Sequence, residues 1–170
     1  CNLYVDKIYV YRTLAIEDRV SSYLWHYDNN PKEAVKLLIY LTDVKSDTGP
    51  FETLERDGDY IKMPTSRTGY NNWRPPVIPG SRIPKDMINE IVNQGYNKKK
   101  IVGPKGTALL FDNNIIHTAN VPIHGYRDVV IFNIRPTLHK LVPYVSKNFT
   151  GSWEHKSPIV NPEEIVPRLK

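Results

Sequence analysis

The sequence predicts an all-β sandwich or barrel with one short helix. Two groups of short apolar segments with strand-like alternation lie at residues 3–42 and 106–134, and they flank a region rich in proline and glycine at residues 51–100. The chain has 170 residues, of which 40% are hydrophobic, and this fits one domain with one core. We therefore expect a single domain over residues 1–170.

The first group of strands ends in its most apolar segment, residues 34–42 (AVKLLIYLT). This segment is rich in β-branched and large apolar residues, is bounded by turn sequences, and is too short for a typical helix, so it is predicted to be a buried strand. Shorter alternating segments predict strands at residues 3–5, 7–11 and 21–27.

The central region, residues 51–100, is predicted to be a long loop that acts as a lid, because prolines and glycines interrupt any sustained period. One helix is predicted inside it. Pro84 suits a first helical turn, Gly95 suits a helix end, and the apolar residues between them recur at helical spacing.

The second group of strands is predicted at residues 106–111, 115–117 and 128–134, each closed by Asn, Pro or Gly. The polar segment at residues 148–170 contains three prolines, and we expect it to form a tail on the surface.

Charge and cysteine content limit the function classes. The chain has 23 Lys and Arg against 18 Asp and Glu, a net charge of +5 and a pI near 9.2, which makes nucleic acid a possible partner without indicating it. Its single cysteine, Cys1, excludes a disulfide scaffold and a zinc site built from several cysteines.

No apolar run approaches the ~20 residues that a membrane-spanning helix needs. No apolar stretch follows a basic start, as it would in a signal peptide, so we expect a cytoplasmic protein without a membrane partner. Because the chain begins with cysteine rather than methionine, we also expect that it is processed or that upstream elements are missing.

A candidate metal site begins at the Trp-His-Tyr-Asp motif of residues 25–28. His26 and Asp28 are two residues apart, so in an extended strand both side chains point to the same side. Two imidazoles and one carboxylate form the facial triad that suits non-haem Fe(II) and leaves positions open for substrate and dioxygen. His117, at the end of an apolar strand, is the candidate for the third ligand.

The alternative interpretation is structural: His26 is a core histidine bonded to a backbone carbonyl, and Asp28 is a turn cap before Asn-Asn-Pro. We expect Asp112 to form a turn or to support a metal-binding imidazole, and Arg135 to have a structural role. The remaining histidines are expected on the surface or on the substrate side: His124, His139 and His155.

Arg127 is a candidate anion-binding residue, because it begins the most apolar strand of the chain, ten residues after His117. Its guanidinium is expected on the lining of the barrel, where burial without an anionic partner is costly. A bound dicarboxylate would satisfy it through a forked pair of charge-assisted hydrogen bonds. By alternation, the other residues on its face are Val129, Ile131, Asn133 and Arg135.

Four motifs at residues 23–136 resemble the phytanoyl-CoA dioxygenase family of Fe(II)/2-oxoglutarate-dependent oxygenases: WHYD, KLLIYLTDVKSDTGPFE, GPKGTALLFDNNIIHTA and RDVVIFNIRP. This resemblance implies a double-stranded β-helix of jelly-roll or cupin-like type. It also implies that His26, Asp28 and His117 bind iron as catalytic residues and that Arg127 binds the distal carboxylate of the cosubstrate 2-oxoglutarate.

The resemblance further implies a dioxygenase that consumes O2 and releases succinate and CO2. Because related halogenases lack the carboxylate that Asp28 supplies, hydroxylation is the expected outcome. The chain departs from the family pattern after Gly-Pro-Phe, where it reads Glu52-Thr53-Leu54-Glu55 and not a Gly-Ser-His-like turn. Because of this departure, we expect a substrate preference of its own. The chain also has fewer residues before His26 than family members have, so we expect that N-terminal elements are missing.

The lid favours an anionic or planar small-molecule substrate, because residues 56–100 carry nine basic and four acidic side chains interspersed with aromatic residues. A solvated loop with scattered charges is an equally good interpretation. Two other functions stay open: a non-catalytic cupin-like module that binds a metal or small ligand, and, less favoured, a nucleic-acid-modifying 2-oxoglutarate oxygenase. The sequence indicates no oligomeric state.

Overall fold

The computed structural model describes residues 2–16, 21–63 and 81–137, which lie within one compact unit. Eight strands in this part of the chain form two antiparallel sheets, so the predicted all-β core is confirmed. A helix, α1, precedes the fifth strand. The elements are β1 (Asn2–Leu14), a 3-10 helix (Ser21–Tyr23), β2 (Val35–Tyr40), β3 (Phe51–Arg56), β4 (Asp59–Tyr60), α1 (Lys85–Asn93), β5 (Asn97–Ile101), β6 (Ala108–Asp112), β7 (His117–Ala119) and β8 (Tyr126–Thr137).

The first sheet has the strand order β1-β8-β2-β6. Because side chains alternate between the two faces of a strand, every second residue of β8 faces the interior of the fold. Arg127, Val129, Ile131 and Asn133 all line one cavity there, as the sequence predicts.

The second sheet is built around β3, which pairs with β5 on one side and with β4 and β7 on the other. Two apolar clusters form the core. The first joins the two sheets, and the second packs helix α1 against β3. Burying each such side chain stabilises the fold by about 1.5–3 kcal/mol. The buried members are Leu38, Tyr40, Val44, Phe51, Ile115 and Val129 in the first cluster and Leu54, Ile83, Ile88 and Ile116 in the second.

Helix α1 confirms the sequence prediction, since it follows Pro84 directly and ends before Gly95, whose φ is +94°. Its apolar face packs on the second sheet through Ile88, which is 1% exposed. Among the described residues, no helix is both long and apolar enough to cross a membrane.

The expectation of a loop without strands over residues 51–100 is wrong at β3, β4 and β5. The polar sequence of β3 does not indicate that it is buried. Its first four residues are nevertheless buried, because β3 is the central strand of its sheet. Thr53 is satisfied by donating through Oγ1 to the Ile116 carbonyl at 2.9 Å. β5 contains three lysines and forms a strand through pairing with β3 rather than through its own propensity. Residues 64–80 of the predicted lid and the predicted tail at residues 148–170 lie outside the described residues.

The predicted strand at residues 21–27 is also wrong. Its first three residues form the 3-10 helix Ser21–Tyr23. The backbone N–H groups of His26, Tyr27 and Asp28 donate to three different segments of the chain, so no continuous ladder with one neighbouring strand develops.

The turn before β3 depends on Gly49, which has a φ of +80°. A Cβ atom at this position would lie 2.7 Å from the Asn120 carbonyl oxygen and 2.8 Å from Cδ of Pro122. Glycine is therefore required for both its conformational freedom and its size.

We expect Gly49→Ala to destabilise the protein more than Gly58→Ala, with the free energy of unfolding measured by urea denaturation. Gly58 also has a positive φ, +88°, but no other group lies within 4 Å of the place that a Cβ atom would take there. Both substitutions therefore cost about 1–3 kcal/mol for the left-handed backbone, and only Gly49→Ala adds a steric clash. An equal loss of unfolding free energy in the two variants would show that the close contact at Gly49 does not affect stability.

Candidate metal centre

The structure brings together three residues that the sequence singled out: His26, Asp28 and His117. One nitrogen or oxygen atom from each lies within 4.8 Å of the others. His26 and Asp28 belong to the extended segment after the 3-10 helix, and His117 is the first residue of β7. Both histidines are buried, at 5% and 4% exposure.

Two backbone hydrogen bonds fix the histidines side by side. The N–H of His26 donates to the carbonyl of His117 at 2.9 Å, and the N–H of His117 donates to the carbonyl of His26 at 2.8 Å. The two imidazole rings then lie with their centroids 4.3 Å apart. These main-chain bonds therefore set the position of the two residues relative to each other.

The ring nitrogens have distinct roles. Nδ1 of His26 lies 2.7 Å from the Leu24 carbonyl, and Nδ1 of His117 lies 2.8 Å from the Ile115 carbonyl. Since a carbonyl oxygen only accepts, each Nδ1 carries the proton, and each Nε2 presents a lone pair. The Nε2 atoms of His26 and His117 lie 3.8 Å and 4.0 Å from the carboxylate oxygens of Asp28. This donor set fits a divalent cation.

The main chain holds Asp28 against the turn between β6 and β7. Its backbone N–H donates to the Asn113 carbonyl at 2.9 Å. Asn30, two residues after Asp28, is held by the Asn114 side chain. Oδ1 of Asn114 accepts from the N–H of Asn30, and Nδ2 of Asn114 donates to the Asn30 carbonyl, each at 2.9 Å. The Asp28 carboxylate also forms an ion pair with Lys36 of β2.

Burial and local charge set the protonation states. Burial, together with the neighbouring His117, lowers the pKa of His26 to about 3, and burial lowers the pKa of His117 as well. Burial alone would raise the pKa of Asp28, but the Lys36 ammonium and the two histidines outweigh it and hold that pKa below its usual range. At neutral pH the site therefore has two neutral imidazoles and one carboxylate, the forms that bind a metal.

Aromatic rings form a wall beside His117. Phe51 stacks on the imidazole at a centroid distance of 5.3 Å, and Phe111 meets it edge-on at 5.4 Å. This wall limits the access of water to the side of the site that faces the core.

The site opens into a cavity of about 630 Å³ between the two sheets. Its floor is the inner face of the first sheet, where the register places residues of β1, β8 and β2 side by side. The cavity is large enough for a small ligand beside a metal.

Arg127 lies in the same cavity and is 4% exposed. Its guanidinium donates to the Gly49 carbonyl and, at 3.2 Å, to Oγ1 of Thr13. Both acceptors are neutral, Nε has no hydrogen-bond partner, and no carboxylate in the described part of the chain pairs with this guanidinium. Burial lowers its pKa. A buried cation of this kind needs an anion, and a ligand carboxylate fits that need.

Other residues singled out by the sequence lie at the edges of the site or outside it. Asp112 shapes a turn, because its Oδ1 accepts from the backbone N–H of Asn114 at 2.8 Å. Arg135 is buried 3.7 Å from Asp6, in agreement with a structural role. His124 is exposed, and His139 and His155 lie outside the described residues.

The sequence interpretation missed Lys36, the ion-pair partner of Asp28. The signal was present: Lys36 is the single charged residue of an apolar strand and alternates with Leu38 and Tyr40, which face inward. It also missed Thr13 and the Gly49 carbonyl, neither of which has a distinctive sequence pattern.

Comparisons with known proteins give a relative in sequence and several in fold. No family model matches the chain. L-proline trans-4-hydroxylase from Streptomyces griseoviridis is 26% identical over 115 residues, which cover 63% of this chain and 42% of that enzyme. The chain therefore spans less than half the length of this curated relative.

Solved structures with a similar fold include EctD and AviO1. EctD from S. alaskensis, with 2-oxoglutarate and 5-hydroxyectoine, has a TM-score of 0.54 and 16% identity over 82% of this chain and 46% of its own. AviO1 from Streptomyces viridochromogenes Tue57 has a TM-score of 0.50 and 14% identity over 83% of this chain and 54% of its own. The predicted jelly-roll or cupin-like fold is thereby confirmed. The resemblance that the sequence motifs indicate is also confirmed, both in sequence and in fold.

A divalent metal is expected to raise the melting temperature of the protein, because it binds a site that the unfolded chain lacks. His26→Ala and His117→Ala should each abolish the increase, measured by differential scanning fluorimetry with Mn(II). His124→Ala removes an exposed histidine and should retain the full increase. An undiminished increase in His117→Ala would exclude that residue as a ligand.

The metal-free protein is expected to lose stability as the pH falls from 6.5 to about 3, the ordinary and the folded-state pKa of His26. Between these values the unfolded chain binds a proton that the folded protein does not, so acid favours unfolding. Urea midpoints across this range should fall less steeply for His26→Gln than for the wild type. A wild-type slope in His26→Gln would contradict the assignment.

Proposed function

We propose that this chain is the core of an Fe(II)- and 2-oxoglutarate-dependent dioxygenase that hydroxylates a small molecule. The observation that carries the proposal is the convergence, in one cavity, of two neutral imidazoles, a carboxylate and a buried arginine without an acidic partner among the described residues. The first three suit iron, and the fourth suits the distal carboxylate of 2-oxoglutarate.

The comparisons support this proposal. The curated relative is a proline hydroxylase. EctD structures contain 2-oxoglutarate in one case and bound Fe in another. The epimerase SnoN, with a TM-score of 0.50, contains Fe3+ and alpha ketoglutarate. These ligands belong to those proteins, and the site described above offers matching donors.

Each residue has a defined role in the proposed reaction. His26, Asp28 and His117 would hold Fe(II), and Arg127 would bind and orient 2-oxoglutarate through its distal carboxylate. When bound, iron and 2-oxoglutarate activate O2 for hydroxylation, with succinate and CO2 as coproducts. Asp28 would supply the carboxylate ligand that halogenases lack and replace with chloride, so the proposed outcome is a hydroxylated product.

The protein would also control water. Phe51 and Phe111 cover His117 on the core side, and the apolar residues Leu38 and Val129 line the cavity floor. An apolar lining that excludes water from the reacting atoms favours reaction with the substrate over side reactions with water.

Succinate production should depend on Fe(II), 2-oxoglutarate and O2, and it should be abolished in His26→Ala and His117→Ala. Mass spectrometry of reactions with L-proline as the first candidate substrate would detect a gain of one oxygen atom. A protein that binds the metal but never forms succinate, with or without added metabolites, would be a binding module and would overturn the proposal.

Arg127→Ala is expected to raise the KM for 2-oxoglutarate by about ten- to a hundredfold, the loss of about 1.5–3 kcal/mol from hydrogen bonds to a charged group. Metal binding should persist, because Arg127 contacts none of the three candidate ligands. The matched control is Arg56→Ala on the second sheet, which should keep the wild-type KM. An unchanged KM in Arg127→Ala would place the cosubstrate elsewhere.

A further inference from the structure

A second group of cationic side chains lies in the cavity, on the same sheet as Arg127. The register pairs Lys7 of β1 with Asn133 of β8, and Asn133 with Lys36 of β2. All three side chains line the cavity. We name Lys7, Asn133 and Lys36 the lysine rung.

The lysine rung is distant from Arg127. Asn133 lies six positions after Arg127 on β8, which corresponds to about 20 Å between their Cα atoms in an extended strand. 2-Oxoglutarate is too short to occupy both positions. A second molecule is therefore needed to contact the lysine rung when 2-oxoglutarate is on Arg127.

The charges of the cavity favour an anion at the rung. Among the described residues that line the cavity, Asp28 is the one acidic residue. Asp28 is also the candidate metal ligand, and it forms the ion pair with Lys36. A divalent cation on Asp28 would compensate that carboxylate, so the Lys36 ammonium would then favour an anion supplied by a ligand. The basic residues of the lining are Lys7, Arg12, Lys36 and Arg127.

Asn133 adds a hydrogen-bonding group to the rung. It is 6% exposed, and its Oδ1 has no hydrogen-bond partner within the described part of the chain. A ligand with an N–H or O–H donor next to its anionic group would satisfy this buried acceptor.

Aromatic and apolar residues lie between the two cationic positions. Tyr9 pairs with Ile131 on the neighbouring strand, and Tyr11 pairs with Val129. The two tyrosine rings stack at a centroid distance of 5.6 Å, and both line the cavity. They offer a surface for the carbon skeleton of a substrate.

We propose that the primary substrate is a small anion whose carboxylate or phosphate binds the lysine rung while its carbon skeleton packs against Tyr9 and Tyr11. This inference rests on the proposed function, because it assigns the opposite end of the cavity to 2-oxoglutarate. Asp28 contacts both Lys36 of the rung and the two histidines, so a metal held there lies next to such a substrate. An N–H or O–H group adjacent to the anion, as in an α-amino acid, completes the fit at Asn133.

The test is anion binding to protein loaded with Mn(II) and 2-oxoglutarate under argon, so that Arg127 is already occupied. Acetate, inorganic phosphate and the neutral acetamide are titrated at constant ionic strength, and binding is followed by isothermal titration calorimetry. We expect acetate or phosphate to bind with a Kd on the order of 1 mM and acetamide at least about tenfold more weakly. The stronger of the two anions identifies the anionic group.

Variants locate the binding. Lys7→Met and Lys36→Met should each weaken anion binding by about three- to tenfold, the loss of roughly 0.7–1.4 kcal/mol. The double variant should abolish it. Lys98→Met removes an exposed lysine of β5 and should retain wild-type binding. Lys36→Met also removes a contact of Asp28, a candidate metal ligand, so Lys7→Met serves as the second, separate test of the rung.

The outcomes separate this inference from the proposed function. Failure of Mn(II) and 2-oxoglutarate to bind would overturn the proposed function. If both bind while acetamide binds as well as acetate and phosphate, or while the double variant keeps wild-type anion affinity, the lysine rung is not the substrate site and the inference is overturned.

Discussion

The site depends on the pair of backbone hydrogen bonds between His26 and His117. These bonds join an irregular segment to the first residue of β7 and place two imidazoles side by side before any ligand binds. Burial keeps both rings neutral, and the carbonyls that accept from each Nδ1 turn each Nε2 toward Asp28. The energy needed to bring the donors together is thus supplied by folding, and a cation meets a site that is already arranged.

Much of this arrangement is predictable from the sequence. The two-residue spacing of His26 and Asp28 predicts that both side chains point to one side, and this is correct although the predicted strand is wrong. The reason is that the direction in which two such side chains point depends only on extended backbone dihedral angles. A strand also needs continuous hydrogen bonding to a neighbouring strand. Arg127 was predictable in the same way, since alternation along β8 is regular.

The sequence was less informative where tertiary pairing decides the structure. β3 resembles a polar loop in sequence, yet its position between β5 and β7 makes it the central strand of its sheet. Phe51, its first residue, pairs with Ile101 on one side and with Ala119 on the other, and both partners lie far along the chain. No local pattern carries that information, because strand propensity reflects packing against neighbours that the adjacent residues do not reveal.

The electrostatics of the cavity follow from which sheet contributes each charge. The second sheet and the segment before β2 supply the histidines and Asp28, the candidate metal donors. The first sheet supplies Arg127 at one end of β8 and the lysine rung near the other. Asp28 is the one carboxylate among the described lining residues, and it pairs with Lys36, so a metal on Asp28 removes the negative charge that offsets this lysine. Metal binding would therefore strengthen the affinity of the cavity for anions, which couples the occupancy of the metal centre to the binding of both proposed ligands.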